Sequence, residues 1–311
     1  MDTTINATDV EIRNPQTWSL ALRIDEDCLQ FAAFSNAEPS SLISRKVQLA
    51  GSEDNYLRSL ENCIYDTPLL LLDFNRITLA FTSRRFMIVP DALSDAQASD
   101  AFKALYGDVP GDVAIDHLPR CSAKIAFELP AGVLRFINRT YENVTIHHHL
   151  RAVCEHFAAK SQGASVSRQY VYLHDSTADV CIFSQGRLAL ANSYSCPTPD
   201  DAAFFVLNAW QQAGLNPTTD ELQLIGDRTV RDAVAPMLRN YVTYVMPAIF
   251  PAASMRMGHD AVKTPFDLIL LLLCEEYVEN MAAAASTCLK ISPHVRLTTL
   301  HARTSSMCST T

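Results

Sequence analysis

Apolar positions along this chain fall into short runs broken by polar turns, and the runs form two similar series. In the first, Leu20-Ala21-Leu22-Arg23-Ile24 reaches the acidic turn Asp25-Glu26-Asp27, and a second run leaves from Cys28 to Phe34. In the second, Tyr170-Val171-Tyr172-Leu173 reaches Asp175-Ser176-Thr177-Ala178-Asp179, and Val180 to Phe183 follows. Unbroken apolar runs of this length predict strands at 18–24, 28–35 and 44–50, then at 77–81 and 86–89, the last ended by Pro90. Ser52-Glu53-Asp54 opens a helix, with Ser52 as its cap and Tyr56, Leu60, Cys63 and Ile64 on its buried face. Another helix runs from the cap Ser94 to Tyr106, stopped by Gly107. Strands at 113–116 and 123–129, a helix at 131–141, a strand at 144–146 and a helix at 147–159 complete the first half.

The second half predicts strands at 170–174, 179–184 and 187–193, and a helix over 200–213 with Pro199 just before it and Gly214 after. A strand at 221–226, a helix at 229–240 kinked or shortened by Pro236, a strand at 241–246, a loop at 251–263 and a hydrophobic helix at 266–285 follow. Repetition on this scale indicates a mixed α/β fold of two related lobes facing one another across a cleft. The polar 160–167 stretch marks the boundary. The expected division is 1–160 for the first lobe, 161–293 for the second and 294–311 for a disordered tail rich in Ser and Thr.

Composition narrows the function classes. A length of 311 residues suits two domains of about 150. The net charge of −9 argues against binding nucleic acid or an anionic membrane, either of which needs a basic patch. Nine cysteines with no CxxC pair, most of them in apolar runs, fit free thiols in a reducing compartment. The acidic N-terminus shows no signal peptide, and the run from Leu268 to Cys274 is far short of the ~20 residues that span a bilayer. The expected location is the cytoplasm, without membrane insertion.

The order of elements resembles the actin-like ATPase superfamily, in which two ribonuclease-H-like lobes clamp a nucleotide. Within it, Leu79-Ala80-Phe81 through Val89-Pro90-Asp91-Ala92-Leu93, the stretch from Val171 to Tyr194, and Pro265-Phe266-Asp267-Leu268 with Cys274-Glu275 resemble a bacterial family, domain-of-unknown-function family 3822. The segment from Ala123 to Phe157, with the strands at 170–194, is also similar to pilus-assembly members of the superfamily. The resemblance implies that the first turn of each lobe meets the phosphates and that a glycine-rich loop meets adenosine. It carries those roles to Asp25, Asp27, Asp175, Ser176, Thr177, Gly226 and Asp227 as cleft-lining candidates. The superfamily's turn reads Asp-x-Gly, which lets backbone N–H groups approach phosphate. Here neither turn has a glycine, and the chain has only nine in all against a usual share of about 7%.

Other chemistry is sparse. Asp25, Glu26, Asp27, Asp175 and Asp179 could converge on a divalent cation, or simply reflect the preference of Asp for tight turns. His147-His148-His149 could hold a metal, with His148 and His156 two helical turns apart, or form a polar helix start. No catalytic residue, metal ligand or cofactor is assigned. Two readings remain: a scaffold or protein-interaction module with an unidentified protein partner, or an ATP-binding switch or small-molecule kinase that takes ATP with magnesium.

Overall fold

The computed structural model describes residues 12–49 and 55–273. The Ser52 cap, the helix beyond residue 273 and the 294–311 tail lie outside them. Strands β1 (Trp18–Ile24), β2 (Cys28–Ser35) and β3 (Ile43–Gln48) form an antiparallel meander. β2 is buried along its whole length and β1 at all but one position, so the sheet is covered on both faces. That coverage is why these strands read as near-continuous apolar runs rather than alternating ones. Helix α1 (Tyr56–Tyr65) buries Leu60, Cys63 and Ile64 and leads to β4 (Arg76–Phe81), parallel to β1. Then come β5 (Phe86–Pro90), α2 (Asp95–Tyr106), β6 (Asp112–Leu118), β7 (Ala123–Leu129), α3 (Val133–Thr140), β8 (Val144–His148) and α4 (Leu150–Ser161). β8 returns parallel to β4, giving the order β3-β2-β1-β4-β8, while β5-β7-β6 forms a separate antiparallel sheet.

The second half supplies β9 (Arg168–His174), β10 (Thr177–Ser184), β11 (Arg187–Ser195), α5 (Pro199–Gln212), β12 (Glu221–Gly226), α6 (Arg228–Arg239) and β13 (Tyr244–Pro247). Its sheet runs β11-β10-β9-β12-β13, again three antiparallel strands followed by two parallel ones. Because side chains alternate across a strand, β9 and β10 serve two cores. Val171, Leu173, Val180 and Ile182 pack with Val206, Trp210 and Leu238 from α5 and α6. Tyr170, Tyr172, Cys181 and Phe183 face the larger core, which holds α4 and the helical residues 266–273. There the Phe157 ring stacks on Tyr170 at 3.9 Å and lies 5.9 Å from Phe266.

Local chemistry explains most boundaries. Ser94 caps α2 in a reciprocal box with Gln97, and Thr198 does the same for α5 with Asp201. At the end of β12, a Cβ on Gly226 would lie 1.8 Å from the Leu173 carbonyl oxygen, so only glycine lets these strands approach. At the sheet edge, Ala248 N–H donates to Leu224, which turns residues 245 and 247 of β13 outward. The Val245 carbonyl there accepts from Arg239 at 3.4 Å, and Pro247 has no N–H.

Three expectations are corrected. The second acidic turn is only Asp175-Ser176, with φ of 42° and 58°; Thr177, Ala178 and Asp179 already belong to β10, because they pair with His174, Leu173 and Tyr172. Two consecutive left-handed residues match the twist of a two-residue hairpin. Two of the three histidines do not start a helix: His147 and His148 extend β8 by pairing with Ala80 and Phe81, and only His149, whose N–H donates to the Phe81 carbonyl, sits at the N-cap of α4. Pro236 does not shorten α6, which continues to Arg239, since Pro236 is exposed and water can serve the carbonyl it leaves unbonded.

Phe157 is 1% exposed and Phe204 is 65% exposed. Phe157→Ala should cost about 3–5 kcal/mol, and Phe204→Ala less than about 0.5 kcal/mol, as read from urea unfolding midpoints.

Candidate functional site

Arg23 sits near the end of β1, a strand buried at all but one position, and is itself fully buried. A guanidinium in that position has lost its water and requires carboxylates. It has three. Its Nε donates to Asp25 Oδ2 at 3.1 Å, its Nη1 to both oxygens of Asp267 at 3.0 Å, and its Nη2 to Asp175 Oδ2. Asp25 belongs to the first turn, Asp175 to the β9–β10 turn of the other lobe, and Asp267 to the buried helical segment after Pro265. Burial alone would lower the Arg23 pKa; Asp267, then Asp25, Tyr172 and Asp175, raise it well above its ordinary value.

Each carboxylate is held by further donors. Tyr172 OH donates to Asp267 Oδ1 at 2.9 Å and accepts from the Phe266 N–H. Thr82 Oγ1 donates to Asp25 Oδ1 at 2.5 Å. Asp175 accepts from Gln30 of β2 at 2.9 Å and from Lys46 of β3 at 2.7 Å, so three strands of the first sheet reach across to it. His174, Lys46 and Arg23 together hold the Asp175 carboxyl well below the usual range. Next to it, buried Asp179 accepts from His174 Nε2 at 2.9 Å and Ser193 Oγ at 2.6 Å, and lies 3.5 Å from His149 Nε2 at the start of α4.

A cavity of about 370 Å³ opens outside this cluster, and Asp25, Glu26, Asp27, Thr82, Arg84 and Asp175 are on its wall. Four of the seven predicted residues line it: Asp25, Asp27, Asp175 and Thr177. Ser176 is one position from the wall and its carbonyl accepts from Cys196. Gly226 and Asp227 are not on the wall; Gly226 packs on Leu173, and Asp227 caps α6 through the N–H groups of Thr229 and Val230. Arg84 pairs with Glu26 at 3.0 Å, on the exposed side. Cys28, behind the turn, has its thiol pushed up to about 12 by burial and by Asp25.

Sequence reasoning missed Arg23, Lys46, Gln30, Tyr172, His174 and Asp267. The available signal was a charge inside an apolar strand, at Arg23, and another at the head of an apolar helix, at Asp267, each of which needs a partner when buried.

Two outcomes follow. Asp267→Ala leaves the Arg23 charge short of its bidentate partner, so the protein should lose about 3–5 kcal/mol in urea unfolding. For His174, burial lowers the pKa, but Asp179 and Asp175 override it and raise the imidazolium from 6.5 to about 9. A raised folded-state pKa gives stability that is complete below 6.5 and lost as the pH rises through about 9. Unfolding measured over that range should show the wild type losing about 3 kcal/mol relative to His174→Gln.

The fold is that of the actin-like ATPases. A protein from Bacteroides thetaiotaomicron, described as having an actin-like ATPase fold and unknown function, superposes with a TM-score of 0.70 and 21% identity, over 84% of this chain and 97% of that one. The PilM–PilN type IV pilus biogenesis complex gives a TM-score of 0.45 at 13% identity, over 81% and 98%. The cytoplasmic domain of EpsL, an inner-membrane component of the Vibrio cholerae type II secretion system, gives 0.42 at 10%, over 84% and 95%. No curated protein matches the chain in sequence. The family model described as "Protein of unknown function (DUF3822)" matches residues 7–245, and the chain belongs to that family.

Proposed function

We propose that this protein is a non-hydrolysing, actin-like scaffold that presents its two lobes to a protein partner, with the nucleotide position of the cleft taken over by its own side chains. The observation that carries this reading is Arg23: one buried guanidinium joins Asp25 and Asp175, which line the cavity, to the buried Asp267. A nucleotide complex needs a mobile cation to reconcile carboxylates with phosphates. Here a covalently attached cation already satisfies them, and the turns offer no glycine through which backbone N–H groups could reach an anion. Among the described residues no helix is long and apolar enough to cross a membrane, and the scaffold reading places the protein in the cytoplasm.

The cavity beside the turns supports a second reading, an ATP-binding switch or small-molecule kinase, in which Asp25, Asp27, Asp175 and Thr177 face ATP with magnesium. A thermal shift separates the two. A ligand present at a hundred times its dissociation constant stabilises the folded state by about 2.7 kcal/mol. With millimolar ATP and magnesium, the melting temperature should stay unchanged in the wild type and in Asp27→Asn. A rise in the wild type that Asp27→Asn abolishes would overturn the scaffold reading in favour of the switch.

A further inference from the structure

Cys154 and Cys181 meet inside the protein with their sulfurs 3.4 Å apart, and both are fully buried. Cys154 is on α4, and Cys181 is in β10 on the face of the second sheet that α4 covers. The other side of α4 belongs to the first half of the chain: Glu155 accepts from the Arg120 N–H at 3.1 Å, and the Cys154 carbonyl accepts from the half-buried Cys121 thiol. The thiol pair therefore lies where a covalent bond would join a helix anchored on the first lobe to the sheet of the second.

We propose that Cys154 and Cys181 form a reversible disulfide that staples α4 to the second sheet, with a low-molecular-weight disulfide as oxidant. This inference is independent of the reading of the cleft. The bond requires the sulfurs to close from 3.4 Å to roughly 2.0 Å. In the exchange, one cysteine thiolate attacks the small disulfide, forms a mixed disulfide and expels one small thiol. The second cysteine thiolate attacks the protein sulfur of that mixed disulfide and expels the other. Two electrons pass from the cysteine pair to the small disulfide, and the two protons end on the released thiols. The hydrogen bond with Cys181 and burial hold the Cys154 thiol well above its ordinary pKa, so reaction waits on local opening of α4. The staple would then record that the helix had opened and fix it closed.

The test uses the reduced full chain incubated with oxidised glutathione, alkylated, digested and mapped by mass spectrometry. The expected product is a cross-link between the peptides containing Cys154 and Cys181, with a melting temperature raised by roughly 5 °C or more. Both effects should reverse with dithiothreitol, vanish in Cys181→Ala and persist in Cys63→Ala. Separate alkylation of Cys154 and Cys181 after full exposure to oxidant would overturn the proposal. So would a bridge mapped between Cys121 and Cys154, or an oxidised form that melts with the reduced one. Mapping the wild type decides the matter even if a cysteine variant fails to fold.

Discussion

A guanidinium without water is the constraint around which this molecule is arranged. Arg23 is on the central strand of a five-stranded sheet, flanked by Leu22, Ile24 and Ala80 and paired with Gln30, and its charge must be balanced by groups delivered from elsewhere in the chain. One comes from its own turn, one from a hairpin that follows about half the chain later, and one from the helical segment after Pro265. The position of the second lobe against the first is thus tied to a local electrostatic requirement. Tyr172 extends the requirement into the aromatic layer, since its hydroxyl orients Asp267 while its ring lies 5.8 Å from Phe266. The apolar core gives the interface its area, and the ion cluster gives it a direction.

The same arrangement separates the two acidic turns in character. Asp25 and Asp175 are drawn inward by Arg23, whereas Glu26 pairs with Arg84 at the surface. Asp179, which looks like a turn residue in the sequence, is buried among His149, His174 and Ser193. Carboxylates that look alike along the chain therefore do different physical work, and their surroundings assign it.

Much of the fold was legible because its signals are local. β7 and β12 fall where their apolar runs place them, and the Ser94 cap and Gly107 stop bound α2 as their chemistry demands. What was not legible depended on partners far away in sequence. The β8 ladder with β4 claimed His147 and His148, which the local pattern had given to a helix. Arg23 was read as one polar position in an apolar run, because its three counter-ions lie up to 244 residues away. The turn candidates Asp25 and Asp175 were found by their type, whereas Gly226 and Asp227 serve strand packing and a helix cap, for which the same residue types are equally suited.

The outer edge of the second sheet has a consequence for what can pair with it. β13 is the last strand there, and its exposed backbone is nearly mute: Arg239 covers the Val245 carbonyl, and Pro247 contributes no donor. Two of the main-chain groups that a further strand would pair with are thereby withdrawn, which weakens that edge as a template for strand addition. Around it, Tyr241, Tyr244, Met246 and Ile249 stay exposed. That side of the protein therefore offers apolar side chains more than free main chain, a surface of shape and residue identity rather than of generic β-strand adhesiveness.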